Sequence, residues 1–133
     1  MPGALDGIRI LDLTSVLMGP SATQMLAEMG AEVIKIEALG GDTTRGIGPG
    51  RTPSMGSNFL NMNRGKRSVA LDLKRASGVR VVERMVAWCD VFIHNIRPQA
   101  AARLGLSEAH LRPLKPSLIY CALTGYGSGG PYA

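Results

Sequence analysis

Apolar residues along this chain fall into short, nearly continuous runs at 8–13, 33–36, 69–73, 91–94 and 118–123, separated by stretches with helical spacing. Between the first two runs, residues 19–30 read as a single helix that opens near Pro20 and is stopped by Gly30. Met25, Leu26 and Met29 recur at helical spacing within it and are predicted to face a sheet. That strand–helix–strand unit, closing at Glu37, implies a parallel sheet, and a parallel sheet binds its ligand at the carboxyl ends of its strands. Function is therefore expected in the loops after Leu13, Glu37, Leu73, His94 and Leu123. The pattern as a whole predicts an α/β fold built on a parallel sheet.

Residues 38–67 form a long connection carrying seven glycines. A connection of this length inside a compact domain is functional or disordered, and 58–63 is predicted to form a short helical turn within it. A second helix follows Ser77 and Gly78, with Val82, Met85, Val86 and Cys89 on one face. Pro98 opens a short helix that ends at Gly105, and Ser107 is the expected N-cap of a turn at 108–111. Strand five leads into a glycine-rich loop at 124–133, an abrupt finish where a closing helix or paired strand is more usual.

Composition narrows the options. A chain of 133 residues is one domain at most, and 45% apolar with 19% charged residues is ordinary for a globular protein. No apolar run approaches the ~20 residues of a membrane span, and the first residues carry no export signal. Cys89 and Cys121, both in apolar surroundings, read as buried free thiols of a reducing compartment, the cytoplasm. The net charge of +5 is unevenly spread: residues 1–44 hold two basic and six acidic side chains, residues 45–103 eleven basic and three acidic. A positive middle section on a parallel sheet suits a phosphorylated or carboxylate ligand; a solvated charged surface is the bland alternative. With aromatic residues at 5%, no stacking platform for nucleic acid is visible.

The turn after strand one, residues 14–20, lacks the Gly-x-Gly-x-x-Gly spacing that lets backbone approach a pyrophosphate, which weakens a nicotinamide or flavin reading. Glu37, where a ribose-binding acid would sit, then reads as structural, and no P-loop occurs. His94 and His110 have no partners at metal-ligand spacing, so no metal is expected, and His94 reads as a core or rim residue. Asp12 and Asp72 fall inside predicted strands, in backbone-capping roles, with nothing pairing them as acid and base. Basic groups bracket strand three, in Asn63-Arg-Gly-Lys-Arg-Ser68 before it and Lys74-Arg75 after it. If the following loop lies at an adjacent strand end, Lys74, Arg97 and Arg103 come together as a cluster suited to a pyrophosphate plus a further phosphate.

Taken in order, these segments resemble the class III CoA-transferase family, which includes formyl-CoA and carnitine CoA-transferases and the α-methylacyl-CoA racemases. The resemblance runs through Leu5-Asp-Gly-Ile-Arg-Ile-Leu-Asp-Leu13, Gly19-Pro20, Leu26-Ala-Glu-Met-Gly-Ala-Glu-Val-Ile-Lys-Ile-Glu37, Gly41-Asp42 and Thr44-Arg-Gly46. It continues in Asn63-Arg-Gly-Lys-Arg-Ser-Val-Ala-Leu-Asp-Leu-Lys74, Asn95-Ile-Arg-Pro98, Arg103-Leu-Gly-Leu106, Thr124-Gly-Tyr-Gly127 and Gly130-Pro-Tyr132.

The resemblance implies a large, parallel-sheet, nucleotide-binding-like (Rossmann-like) α/β domain that binds CoA, a small domain, and an interlocked homodimer in the full-length parent. It implies transfer of CoA between an acyl-CoA thioester and a carboxylate acceptor, with coenzyme A as the only cofactor-like group. By residue match, Val16, Leu17 and Met18 line the CoA site, Leu71 and Lys74 flank its adenine and phosphate end, and Asn95, Ile96, Arg97, Arg103 and Leu104 complete it. Leu17 and Ala38 depart from the glutamine and arginine of formyl-CoA transferases, which argues against a formyl or oxalyl substrate and removes one phosphate contact. The family's nucleophilic aspartate and the racemase acid–base pair both lie beyond the segment matching Gly130-Pro-Tyr132. The 133 residues are thus expected to be the amino-terminal part of the large domain, inactive alone. The alternatives are a racemase-like isomerase and a catalytically inactive CoA- or nucleotide-binding module.

Overall fold

The computed structural model describes residues 2–127 and 129–131. Five strands form one parallel sheet: β1 (Arg9–Leu13), β2 (Glu32–Glu37), β3 (Lys66–Ala70), β4 (Val91–His94) and β5 (Ile119–Ala122). Their order is β3-β2-β1-β4-β5, so the chain winds outward from β1 to one edge and then returns to its other side. The reversal point lies between β1 and β4, where doubly wound sheets open a ligand crevice.

Side chains alternate across the sheet. Leu11, Leu13, Ile34, Ile36 and Phe92 point to one face, where they meet Val82 and Val86 of α3 (Ala76–Trp88) and Cys89 just after it. Leu106 and Leu111 seal the same face, next to α4 (Pro98–Arg103) and within α5 (Glu108–Leu111). Full burial of such aliphatic side chains contributes roughly 1.5–3 kcal/mol each. The opposite face, with Ile10, Val33 and Ile93, is smaller and takes Leu26 and Ala27 of α1 (Met18–Glu28).

Helix α1 departs from the pattern its apolar residues predict. Leu26 does pack on the sheet, but Met25 and Met29 are exposed, and the buried face is Gly19, Pro20, Thr23 and Gln24. The physical reason lies beneath the helix. Thr23 Oγ1 donates to Asp12 Oδ2 at 2.5 Å, and Gly19 lies so near Thr14 that a Cβ there would stand 2.4 Å from that threonine's Cβ. A close, polar seam takes the place of an apolar one.

Strand β3 also lies elsewhere than predicted. It pairs from Val33↔Lys66 to Glu37↔Ala70, so the basic residues themselves form the edge strand. Ladder bonding ends where Leu71 N–H reaches Glu37 O, and Asp72 then turns the chain by accepting from Lys74 N–H. Asp72 is therefore a loop residue and not a strand residue, while Leu71 and Leu73 dip into the α3 side of the core. The glycine-rich connection is ordered by a 3-10 turn at Thr43–Gly46 and by α2 (Ser57–Met62).

Candidate functional site

The carboxyl ends of the strands carry two layers: a buried polar network, and above it a rim of exposed residues. Asp12, wholly buried on β1, is the centre of the lower layer. Its Oδ1 accepts from Thr14 N–H (2.9 Å) and Thr14 Oγ1 (2.5 Å), and its Oδ2 from Thr23 and from Lys66 Nζ (3.0 Å). Lys66 also donates to Pro20 O and Asn63 Oδ1, which satisfies all three ammonium protons. Burial pushes the Lys66 pKa down, against the opposing pull of Asp12.

Lys35, equally buried on β2, donates to Thr14 O at 2.7 Å. Its Nζ also stands 3.0 Å from Asp42 Oδ2, off the line of a good hydrogen bond, so that pair is Coulombic more than directional. Burial raises the Asp42 pKa, but the hydrogen bonds from Thr44 and the ammonium of Lys35 outweigh it and hold the carboxyl below its usual range. Glu37 behaves similarly. Desolvation acts upward on it, yet Arg45, Ser68 and Asp42 N–H hold it at about 2. Arg45 grips it with two bonds of 2.7 Å and lies over the ring of Phe59, 3.7 Å from the centroid. The structural role expected of Glu37 is what these contacts describe: it ties the glycine-rich connection to the sheet.

A second chain of bonds fixes the loop after β4. Ile96 N–H donates to His94 Nδ1 (3.2 Å), His94 Nε2 donates to Tyr120 OH (2.7 Å), and Tyr120 OH donates to Leu106 O (3.0 Å). This direction requires a neutral imidazole, and burial accordingly lowers the His94 pKa. His94 is the core residue the sequence suggested.

The expected site residues occupy the rim. Val16, Leu17 and Met18 are exposed in the β1–α1 loop, and Asn95, Ile96 and Arg97 follow β4 directly across the crevice. These two groups meet: Ser15 N–H donates to Asn95 Oδ1 and Asn95 Nδ2 to Ser15 O, at 3.0 and 2.9 Å. Leu71 and Lys74 follow β3, which is not adjacent to β4 as assumed. Strands β2 and β1 stand between them, a separation of three strand spacings, or roughly 14 Å. The β3–α3 and β4–α4 connections nevertheless turn onto the same face, so Leu71, Ile96 and Leu104 all abut one apolar cluster. Beside them, an open cavity of about 360 Å³ lies between loops 95–99 and 123–127. Tyr132 of the last motif lies outside the described residues.

Lys35, Lys66 and Arg45 are spent internally, whereas the side chains of Lys74, Arg97 and Arg103, like those of Arg51, Arg80 and Arg84, make no ion pair or hydrogen bond among the described residues. An anion approaching the rim meets charges that are not already neutralised. Among the described residues, no group of three or more His, Cys, Asp or Glu could hold a metal ion, and no helix is long and apolar enough to cross a membrane. No local pattern announces the Asp12–Lys66 and Lys35–Asp42 pairs, which join positions far apart or on different elements.

The parallel order β3-β2-β1-β4-β5, with its reversal between β1 and β4, defines an α/β protein of the doubly wound class. The profile of CoA-transferase family III matches residues 5–133, and the chain belongs to that family. It is 47% identical to the succinyl-CoA:glutarate CoA-transferase of Mus musculus, over 96% of this chain and 29% of that protein. It is 48% identical to the succinate–glutarate CoA-transferase of Agrobacterium fabrum, over 97% of this chain and 34% of that one. Among solved structures, a CAIB/BAIF family protein from Brucella suis superposes with a TM-score of 0.94 at 38% identity, covering 99% of this chain and 36% of that one. The chain thus spans about a third of the length of the relatives it matches.

Proposed function

We propose that these residues form the amino-terminal, coenzyme A-binding part of the large domain of an enzyme that moves CoA between an acyl-CoA thioester and a carboxylic acid. The observation that carries this reading is that Lys74, Arg97 and Arg103, on or just after the loops that follow β3 and β4, make no ion pair or hydrogen bond among the described residues, while Leu71, Ile96 and Leu104 of the same segments pack against one apolar cluster. Phosphates need cations that have no carboxylate partner, and an adenine ring needs an apolar ledge. Val16, Leu17 and Met18 line the ligand from the first loop, and Asn95 stands at the crevice between. The relatives named for succinyl and glutarate exchange favour succinyl and glutaryl groups over formyl or oxalyl, in keeping with Leu17 and Ala38. A cytoplasmic, interlocked homodimer is part of the same reading.

The covalent step requires a carboxylate that attacks the thioester carbonyl and expels the CoA thiolate, leaving a mixed anhydride. Four aspartates here are committed elsewhere. Asp12 is bonded to Thr14, Thr23 and Lys66, and Asp42 to Lys35 and Thr44. Asp72 caps Lys74 N–H, and Asp90 is bonded to Arg9. On this reading the nucleophile is the aspartate that the family resemblance puts beyond the segment matching Gly130-Pro-Tyr132, and these four do not replace it.

Calorimetric titration with CoA and dephospho-CoA tests the binding half. Lys74→Ala and Arg103→Ala should each weaken CoA binding by the worth of one charge-assisted bond, about 1.5–3 kcal/mol. Unchanged affinity in both variants would sink the assignment. Acyl exchange from succinyl-CoA tests the other half: the chain alone should release no CoA, and turnover that survives purification would show the nucleophile to lie within it.

A further inference from the structure

The loop after β1 is pinned at both ends. Thr14 is held through Asp12 and through Lys35, which donates to its carbonyl, and Gly19 packs against the same threonine where no side chain would fit. Between these anchors, the Asn95 side chain reaches across the crevice and bonds both polar groups of Ser15, accepting from its N–H and donating to its carbonyl. The next residue, Val16, has φ +73°, and among the described residues no other non-glycine is left-handed. A β-branched residue in that region is strained and persists only where its surroundings over-determine it, a situation concentrated at functional sites.

We propose that Asn95 is a positioning residue: by clamping the Ser15 peptide groups it keeps Val16 left-handed and presents Val16, Leu17 and Met18 to the ligand in a preformed arrangement. On this assignment Asn95 acts through the loop and not by touching the ligand. Its acceptor and one of its two amide protons are already engaged with Ser15. The ligand in question is the CoA of the reading above, on which this assignment rests for its functional consequence.

A double-mutant cycle on the whole chain separates the two roles. Asn95→Ala should weaken CoA binding on the order of tenfold, the worth of two lost neutral hydrogen bonds. Glycine adopts a left-handed conformation without help, so in a Val16→Gly background the same Asn95→Ala change should cost little. Asn95→Asp, which keeps the acceptor but loses the donor, should fall between. An equal loss in both backgrounds would mean that Asn95 contacts CoA directly, and would overturn the proposal. A second measurement does not depend on CoA: the Ser15 amide should exchange slowly in the wild type and quickly in Asn95→Ala, by nuclear magnetic resonance. Fast exchange in the wild type would also overturn it. If the wild type binds no CoA while Ser15 protection still depends on Asn95, the CoA reading fails and the clamp stands.

Discussion

At the scale of single residues, two positions carry consequences out of proportion to their size. Gly19 begins α1 with its Cα against Thr14, whose side chain is itself tied to Asp12, so neither neighbour can retreat. Gly19→Ala should therefore destabilise the fold by about 1–3 kcal/mol, as overpacking of a buried site does, despite alanine's better helix propensity. Urea unfolding of the two proteins measures it, and equal or greater stability in the variant would contradict the packing. His94 gives a pH signature instead. Its pKa is pushed below the ordinary 6.5 by burial, so below that pH the unfolded chain takes up a proton that the folded chain resists. Stability is then fully present above about 6.5 and falls as the pH drops through the folded value. Glu37 and Asp90, both held at about 2, add their losses only below the ordinary carboxylate values of 4.5 and 3.8. Melting temperature should thus decline in two stages, and His94→Phe should remove the first.

At the scale of elements, buried charge pairs do the joining that apolar faces usually do. Lys66 of the edge strand β3 reaches under α1 to Asp12 of the central strand β1, with side chains 2% and 0% exposed. Two residues earlier, Arg64 pairs with Glu28 on the surface. The two contacts look alike in sequence, but Lys66→Ala strands a buried carboxylate and should cost about 3–5 kcal/mol, whereas Arg64→Ala should cost under about 1 kcal/mol. Denaturant melts of both variants check the contrast, and equal losses would show that Asp12 is not buried as charged. This seam also explains what the sequence did and did not reveal. Runs of Val, Ile and Leu announced five strands and the α3 face, because both follow from apolar periodicity. The α1 face was misread because Thr23, Asp12 and Lys66 look like surface residues until they are paired. The edge position of β3 was hidden for the same reason, since its buried anchor is a lysine. Among site residues, Leu71, Ile96 and Leu104 were named from the family resemblance and from no local pattern, and the bond from Asn95 to a peptide eighty residues away left no local trace either.

At the scale of the molecule, the two sheet edges are unequally protected. Strand β3 presents Arg67, whose side chain is 72% exposed, and charge on an edge discourages pairing with another sheet. Strand β5, Ile-Tyr-Cys-Ala, carries no charge, hydrogen-bonds on one side to β4, and leaves Ile119 62% exposed. On the α1 face, Met18 and Met25 add apolar surface at 70% and 60% exposure. The 133-residue chain in solution should therefore self-associate as its concentration rises, with the β5 edge as the principal contact. Sedimentation velocity across a concentration series, with Ile119→Lys and Met25→Lys compared, distinguishes the two surfaces. Ile119→Lys should shift the chain toward monomer more than Met25→Lys does, because a charge beside an open edge blocks strand addition as well as apolar contact. A wild type that stays monomeric at every concentration would show that neither surface drives association. If only Met25→Lys had an effect, the contact would belong to the helix and not to the edge.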